Sequence, residues 1–286
     1  MSTRRVALSI AGSDPTGGAG LQLDLQVFHS LGVHGCAVPT ALTVQDTSGV
    51  REVLPTFPSV VLSQLRTLTA DLRPDAVKIG MLATDDVLRA VELVLDGFDG
   101  AIPIVLDPVL RASDGTTLLE SRAAAGLVRL LPRASLVTPN RPELEALAQG
   151  PVDSPRQVEQ AARLLVESRG ARAVLAKGGH AEGPADDLLA IAEDGGARLR
   201  WLEGPRLETG PVHGTGCALS AAIAAGLARG LALEPAVVRG RAYVRAALER
   251  AWPAGAGARL LGLPESDAAE PCALEAPLAP APRGAP

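Results

Sequence analysis

The sequence predicts an α/β protein with one mainly parallel central sheet and helices on both of its faces. Short aliphatic runs alternate with amphipathic stretches of helical period over about 250 of the 286 residues. Several of these runs are continuously apolar, which is typical of strands covered by helices on both sides. A hydrophobic content of 47% is sufficient for a core of this size. We therefore expect one large α/β domain.

Seven strands and eight helices are expected in chain order. The predicted strands span residues 6–10, 36–43, 76–79, 104–106, 136–138, 173–176 and 188–192. The predicted helices span residues 21–31, 58–72, 84–95, 118–131, 142–148, 155–168, 215–229 and 235–248. Residues 1–265 form the predicted domain, and residues 266–286, which are rich in proline and alanine, are predicted to be a disordered tail.

The composition excludes several classes of function. The chain carries 27 basic and 32 acidic residues and only 2% aromatic residues, which argues against a nucleic-acid-binding surface. Three widely spaced cysteines form no disulfide framework and fit a reducing compartment. The longest apolar run, residues 221–228, is much shorter than a membrane span. These observations predict a cytoplasmic protein that binds small molecules and neither nucleic acid nor a membrane.

A glycine-rich loop, AGSDPTGGAG at residues 11–20, follows the first predicted strand. It matches neither the phosphate-binding P-loop nor the dinucleotide fingerprint. It could be a turn with flexible glycines. A ligand-binding loop is favoured, because loops at strand ends commonly carry function and Gly12 lets a ligand approach the backbone closely.

Two polar residues near this loop are candidates for substrate contact. Asp24 lies on the first helix, where an acidic residue is usually solvated or interacts with the helix dipole. Gln45 ends the second strand, and its amide has both a donor and an acceptor. Such an amide can bind the edge of an aminopyrimidine ring, as amides bind adenine.

The stretch VHGTGC, residues 212–217, leads into a helix whose apolar positions Leu219, Ile223 and Leu227 predict one core-facing stripe. The helix therefore begins near Gly214, Thr215 and Gly216, whose exposed N–H groups would bind an anion. Cys217 in the first turn is expected to have a lowered pKa, because the helix dipole favours a thiolate. The alternative is a buried, inert cysteine.

Further polar residues follow the later strands. Asp107, Asn140 and Glu143 offer oxygen ligands that suit Mg²⁺. Asn140 and Glu143 could equally form a helix-capping box, and the two roles are compatible. The only two lysines of the chain, Lys78 and Lys177, each end an apolar strand next to glycine. This position favours a functional role for Lys177 over a solvated one, whereas for Lys78 a structural role at the strand end is an equal alternative.

Seven segments in order together resemble the ribokinase superfamily, and more narrowly the bacterial hydroxymethylpyrimidine/phosphomethylpyrimidine kinases of thiamine biosynthesis. They cover residues 6 to about 248 and read AGSDPTGGAGLQLDLQVFHSLGVHG, TALTVQDTSGV, VKIGML, VLDPVL, TPNRPELEAL, AKGGH and HGTGCALSAAIAAGLARG. Sugar kinases of this fold usually have an aspartate at the position of Cys217. In having cysteine at this position, the chain resembles the pyrimidine branch or the related pyridoxine-type kinases.

The resemblance implies an ATP-dependent, Mg²⁺-requiring kinase that acts on a small pyrimidine and forms a homodimer. It assigns Cys217 as the base on the hydroxymethyl group and places the anion hole at Gly214, Thr215 and Gly216. The roles that it implies for the other positions are pyrimidine binding by Gln45, Gly12, Asp24 and Met81, nucleotide binding by Lys177 and Asn140, and Mg²⁺ binding by Asp107 and Glu143.

Two alternatives stay open at this point: a pyridoxine/pyridoxal kinase on the same scaffold, and a non-catalytic ligand-binding member. The intact stretch at residues 214–217 argues against the second. The chain departs from the family at Asp46, where asparagine is usual. It also departs at residues 254–264, where the family's glycine-rich closing segment is not recognisable.

Overall fold

A computed structural model of the chain describes residues 4–98, 100–179 and 185–264. Within these residues the strands form one nine-stranded sheet in the order β3-β2-β1-β4-β5-β6-β7-β8-β9. The strands are β1 Val6–Ser13, β2 His34–Asp46, β3 Gly49–Pro55, β4 Ala76–Ile79, β5 Ile104–Leu106, β6 Leu136–Val137, β7 Ala173–Ala176, β8 Asp187–Glu193 and β9 Gly196–Leu202. The predicted α/β class with a central sheet is confirmed.

Eight α-helices connect or flank these strands in the described part of the chain. They are α1 Gly20–Ser30, α2 Pro58–Asp71, α3 Asp85–Leu95, α4 Ser121–Leu130, α5 Arg141–Ala148, α6 Pro155–Glu167, α7 Thr215–Ala228 and α8 Leu233–Glu249. Every predicted helix and strand is present, and the ends agree with prediction to within three residues. None of the described helices has the length and apolar character that a membrane span requires.

The centre of the sheet is parallel and its margins are antiparallel. Strands β2, β1, β4, β5, β6 and β7 pair in parallel, whereas β3 pairs antiparallel with β2, and β8 and β9 complete the other side in antiparallel pairing. The sequence analysis missed β3 and β9. Both contain charged and glycine residues and lack a continuous apolar run, because edge strands are only partly covered.

Helices cover both faces of the sheet, as expected. On one face α2, α3, α4, α5 and α6 pack into a core that includes Leu65, Leu88 and Leu165. On the other face α1, α7 and α8 pack into a second core that includes Val27 and Val237. The continuously apolar strands between these layers are buried on both sides, which explains why their sequences do not alternate.

Helix α7 differs from the single apolar stripe that the sequence predicted. Its residues from Ala218 to Gly226 are buried around the whole circumference, while Leu227 is only half-buried. The cause is close packing of α7 against both the sheet and α8. A Cβ on Gly240 of α8 would lie only 2.7 Å from the Cγ1 atom of Ile223 in α7. Alanine and glycine permit this approach, so α7 lies in the interior of the domain.

The parallel strands bring their carboxyl ends to one edge of the sheet, where ligands bind in folds of this class. The loops after β1, β4, β5, β6 and β7 carry the candidate residues to that edge. Two predictions fall outside the described residues: the disordered tail at 266–286 and His180 at the end of the AKGGH segment.

Candidate active site

A cleft of about 1490 Å³ opens at the carboxyl edge of the parallel strands. It runs from the β2–β3 hairpin to the middle and C-terminal part of α8 and passes the first turn of α7. The candidate residues that line it are Gly12, Gln45, Met81, Asp107, Asn140, Glu143, Lys177, Gly214, Thr215, Gly216 and Cys217. One predicted residue, Asp24, is not among the lining residues.

Asp24 instead lies behind the cleft wall. Its side chain is fully buried, and its Oδ2 atom accepts hydrogen bonds from Lys78 Nζ at 2.7 Å and from Ser9 Oγ at 2.5 Å. Its Oδ1 atom has no partner among the described residues. Burial raises the pKa of Asp24, and the Asp24 carboxylate holds the pKa of Lys78 above its ordinary value against the cost of burial. Asp24 therefore anchors Lys78, which does line the cleft.

Lys177 and Asp107 form a second ion pair in the middle of the cleft. The Lys177 Nζ atom donates to Asp107 Oδ1 at 2.9 Å and lies 3.7 Å from Glu143 Oε2. Thr138 also donates to Oδ1 at 3.2 Å, and Ser220 donates to Oδ2 at 3.3 Å. Burial opposes the charge of Asp107, but Lys177 and the other donors hold the pKa of this carboxyl below its usual range. The Asp107 carboxylate and the Lys177 ammonium are thus held in direct contact.

Asn140 and Glu143 form the helix-capping box that was one of their two predicted roles. The Glu143 N–H donates to Asn140 Oδ1 at 2.9 Å, and Glu143 Oε2 accepts from the Asn140 N–H at 2.7 Å. Burial raises the pKa of Glu143 to about 7, with a smaller rise from the Asp107 carboxylate that is offset by Lys177. Glu143 therefore gains or loses a proton near neutral pH.

The donor set fits Mg²⁺ only together with phosphate oxygens. No group of three or more acidic, histidine or cysteine side chains that could hold a metal occurs in the described part of the chain. Asp107 and Glu143 offer two carboxylates around the Lys177 ammonium. Magnesium commonly binds one or two protein carboxylates and completes its shell with water and phosphate. The site suits a metal that arrives with a phosphorylated ligand.

The first turn of α7 has the geometry of an anion site. Gly214 caps the helix with a φ of +80°, and a Cβ at this position would overlap the carbonyl oxygen of Gly18. No side chain of the described residues caps the following N–H groups, so those of Thr215 and Gly216 are available to a ligand. A Cβ on Gly216 would lie 3.2 Å from Lys177 Nζ, so the turn faces the ammonium directly. A side chain at Gly214 or Gly216 would therefore crowd these neighbours.

Cys217 departs from its prediction. Burial raises the pKa of its thiol, and the carboxylates of Asp107 and Asp24 raise it further. Lys78 and the N–H of Gly20 lower it, but they do not reverse the effect of burial. The helix dipole argument was wrong in sign because it left out the desolvation of the thiolate by the surrounding core. At neutral pH Cys217 is therefore a thiol in the cleft wall.

The structure brings together two residues that the sequence analysis did not pair. The His213 Nε2 atom lies 3.0 Å from Asp14 Oδ2. Hydrogen bonds from His213 and Thr16 hold the pKa of Asp14 below its usual range, although burial opposes this. The pair joins the glycine-rich loop to the loop before α7. No local pattern in the sequence indicates this pair, because the two residues are 199 positions apart.

The hairpin end of the cleft contains the other predicted substrate residues. Gln45 lies near the end of β2, opposite Val50 of β3 in the strand register. Gly12 faces Met81, because a Cβ on this glycine would lie 2.7 Å from the methionine sulfur. The close approach predicted for Gly12 is thus an approach to a side chain of the pocket. Together they form a partly apolar recess with one amide.

This fold and this cleft define a small-molecule kinase, and comparisons with known proteins identify its family. The sequence model described as phosphomethylpyrimidine kinase matches residues 14–261. The hydroxymethylpyrimidine/phosphomethylpyrimidine kinase of Salmonella typhimurium is 42% identical over 246 residues, which are 86% of this chain and 91% of that protein. The chain belongs to the phosphomethylpyrimidine kinase family.

Two solved structures resemble the fold closely. The pyridoxal kinase of Staphylococcus aureus in complex with ADP has a TM-score of 0.82 and 30% identity over 91% of this chain and 93% of its own. The phosphomethylpyrimidine kinase of Clostridium difficile 630 has a TM-score of 0.74 and 31% identity over 85% of this chain and 98% of its own. These likenesses confirm the fold expected from the sequence segments.

Proposed function

We propose that this chain transfers the γ-phosphoryl group of ATP to 4-amino-5-hydroxymethyl-2-methylpyrimidine, and then transfers a second one to the resulting monophosphate. The observation that carries this proposal is the order of groups along one cleft. Gln45 and Met81 lie at one end, the α7 anion site and the Lys177–Asp107 pair lie in the middle, and α8 lies at the other end. An acceptor and a nucleotide can therefore meet at the anion site.

The acceptor ring fits the hairpin end. The Gln45 amide can donate to a ring nitrogen and accept from the exocyclic amine of an aminopyrimidine. The Met81 side chain supplies apolar contact beside the backbone of Gly12. In the proposed binding mode the hydroxymethyl substituent faces Cys217, which lines the same cleft.

The chain's own residues then support phosphoryl transfer. The acceptor oxygen forms a bond to the γ-phosphorus as the bond from that phosphorus to the bridging oxygen breaks, and ADP leaves. The N–H groups at the start of α7 stabilise the charge on the equatorial oxygens. Cys217 accepts the hydroxymethyl proton in the first step through its thiolate form, which is the minor form at neutral pH and which the nearby Lys78 ammonium favours. The raised pKa makes that thiolate a stronger base.

Asp107 and Glu143 would hold Mg²⁺ between themselves and the phosphates of ATP, with Asn140 beside them. Bound Mg²⁺ neutralises phosphate charge and orients the transferred group. Lys177 would pair with the phosphate oxygens, and the closeness of its ammonium to Gly216 supports this role. These assignments are supported by the two carboxylates and the capping amide in one cleft.

A pyridoxal kinase activity is the second candidate, and the structural likeness to the Staphylococcus aureus enzyme favours it. The curated relatives with 37–44% identity that carry the pyrimidine kinase name weigh more heavily, because they are closer in sequence. Steady-state ADP release with hydroxymethylpyrimidine, its monophosphate and pyridoxine in parallel separates the two. We expect the highest kcat/KM with the pyrimidine alcohol or its phosphate.

The Gln45→Ala variant makes this experiment specific. Loss of the amide should weaken the binding free energy of the aminopyrimidine by about 1–3 kcal/mol, because the polar edge of the ring is left without a hydrogen-bond partner. Activity with pyridoxine should fall less. An equal fall with both ring types, or higher efficiency with pyridoxine in the parent protein, would favour the pyridoxal kinase.

A homodimer and a cytoplasmic location complete the proposal. The outer face of the β2–β3 hairpin exposes Leu42, Val44 and Leu54, of which Leu42 and Leu54 are direct cross-strand neighbours. An apolar strip of this kind supports a contact between subunits. The free thiols Cys36 and Cys217 support a reducing compartment. Light scattering of the purified chain and of the Leu42→Lys variant tests the dimer.

A further inference from the structure

The cleft contains a cation whose charge is not used within the described structure. Lys78, Lys177, Arg241 and Arg245 also line the cleft, and each pairs with a carboxylate. Arg206 lines it too and donates to the Gly179 carbonyl at 2.9 Å. Arg111 pairs with no carboxylate among the described residues, and the one bond recorded for its guanidinium is to the carbonyl of Gly115 in its own loop at 3.2 Å. It is therefore available to an anionic ligand.

The loop that carries Arg111 is attached to the hairpin end of the cleft. Residues 111–117 turn back on themselves, with a bridge between Arg111 and Thr117. Asp114 in this turn accepts a hydrogen bond from the Val50 N–H at 2.7 Å. Val50 is the register partner of Gln45. The guanidinium thus belongs to a loop held beside the residue assigned to the pyrimidine ring.

The same loop begins at the phosphate-transfer centre. Asp107 is only four residues before Arg111, and the Val109 N–H donates to the Asp107 carbonyl at 2.8 Å. Arg111 therefore lies on a short, bonded segment between Asp107 and the hairpin. A ligand group between the pyrimidine ring and the first turn of α7 would lie in the section of the cleft that the Arg111 loop lines.

The two proposed reactions place different charges in that section. The alcohol acceptor of the first step is neutral. The monophosphate acceptor of the second step carries close to two negative charges at pH 7, since its second pKa is near 6. It must approach the γ-phosphate beside the carboxylates of Asp107 and Glu143. Additional positive charge is needed for the second acceptor and not for the first.

We propose that Arg111 binds the phosphate group of the monophosphate acceptor, which rests on the proposed function. A guanidinium can bind two phosphate oxygens at once and keeps its charge at all relevant pH values. Arg111 is then a determinant of the second phosphorylation, whereas Cys217 acts in the first. The two steps would use the same anion site but different residues for the acceptor.

The test compares both steps in the parent chain and in Arg111→Gln. We expect the ratio of kcat/KM for the monophosphate to kcat/KM for the alcohol to fall about ten- to a hundredfold, the loss of one charge-assisted contact. Arg111→Lys should recover part of the ratio, because it keeps the charge without the paired donors. Arg156→Gln is the matched control: Arg156 is exposed on α6 outside the cleft, and the ratio should not change.

A fall of less than about fivefold in that ratio, or a similar fall in the control, overturns the proposal. The salt dependence provides a second readout. Increasing ionic strength should raise KM for the monophosphate in the parent chain and raise it less in Arg111→Gln.

Calorimetric titration with the monophosphate alone separates this proposal from the proposed function. Weaker binding in Arg111→Gln supports the phosphate contact even if the parent chain turns over neither pyrimidine. Unchanged binding contradicts the contact even if both reactions proceed.

Discussion

Lys177 donates from Nζ to the Oδ1 atom of Asp107 at 2.9 Å, across the sheet from β7 to β5. Strand β6 lies between these two strands, and Thr138 at its end donates to the same carboxylate. The ammonium also lies close to Gly216 in the first turn of α7. One cation is thereby held where three strand ends and a helix N-terminus meet. This relationship is the structural basis of the proposed phosphoryl-transfer centre.

Lys177→Arg should lower kcat/KM for the first phosphorylation by about tenfold or more. The planar guanidinium is larger than the ammonium and cannot occupy the space between Asp107 and Gly216 without displacing one of them. Steady-state ADP release measures the effect. Arg163→Lys on the exposed face of α6 is the matched control and should retain full activity. Full activity in Lys177→Arg would contradict a positional role for the ammonium.

Lys78→Met should destabilise the protein by about 3–5 kcal/mol, because it leaves the Asp24 carboxylate buried without its cation. The double variant Lys78→Met, Asp24→Asn should be more stable than Lys78→Met alone, since the uncompensated charge is then removed. Urea unfolding of both single variants and the double variant gives the coupling energy. Additive losses would show that the two side chains do not interact.

Glu143→Gln should reduce the change in the free energy of unfolding with pH, in the window between the ordinary pKa of a glutamate and about 7. In that window the folded protein keeps a proton on Glu143 that the unfolded chain has released. The resulting stabilisation is fully present below the ordinary pKa and is lost as the pH rises through about 7. Glutamine keeps the capping box and cannot titrate.

Unfolding by urea at several pH values measures this effect. The parent chain should lose stability from pH 5 to 8 with a steeper slope than Glu143→Gln. Parallel slopes for the two proteins would place the pKa of Glu143 near its ordinary value.

Cys217→Ala should reduce the first phosphorylation more than the second. The alcohol must lose its proton to the enzyme, whereas the monophosphate is already largely ionised at neutral pH. Because burial raises the pKa of the thiol, the first-step rate of the parent chain should also increase as the pH rises above neutral. Equal losses in both steps would assign Cys217 a structural role.

The sequence was sufficient to predict the layout of the domain and most of the cleft. Continuous apolar runs identified the buried strands, and polar residues at their ends, such as Asp107 and Lys177, lie in the cleft as the rule for parallel sheets requires. The edge strands β3 and β9 could not be predicted in this way, because partly exposed strands tolerate charged residues.

Side-chain pairs formed by the tertiary fold were also beyond sequence reasoning. Asp24 and Lys78 are 54 residues apart, and Asp14 and His213 are 199 residues apart. Local patterns contain no signal for either pair. The pKa of Cys217 was predicted with the wrong sign for the same reason, since desolvation depends on packing that the local motif does not show.

The most direct test of the proposed activity is the time course of products from hydroxymethylpyrimidine, ATP and Mg²⁺, followed by mass spectrometry with the purified chain. The proposal predicts that the monophosphate accumulates first and is then converted to the diphosphate, with one ADP released for each phosphoryl group. No phosphorylated pyrimidine, or a reaction that stops at the monophosphate with ATP in excess, would contradict it.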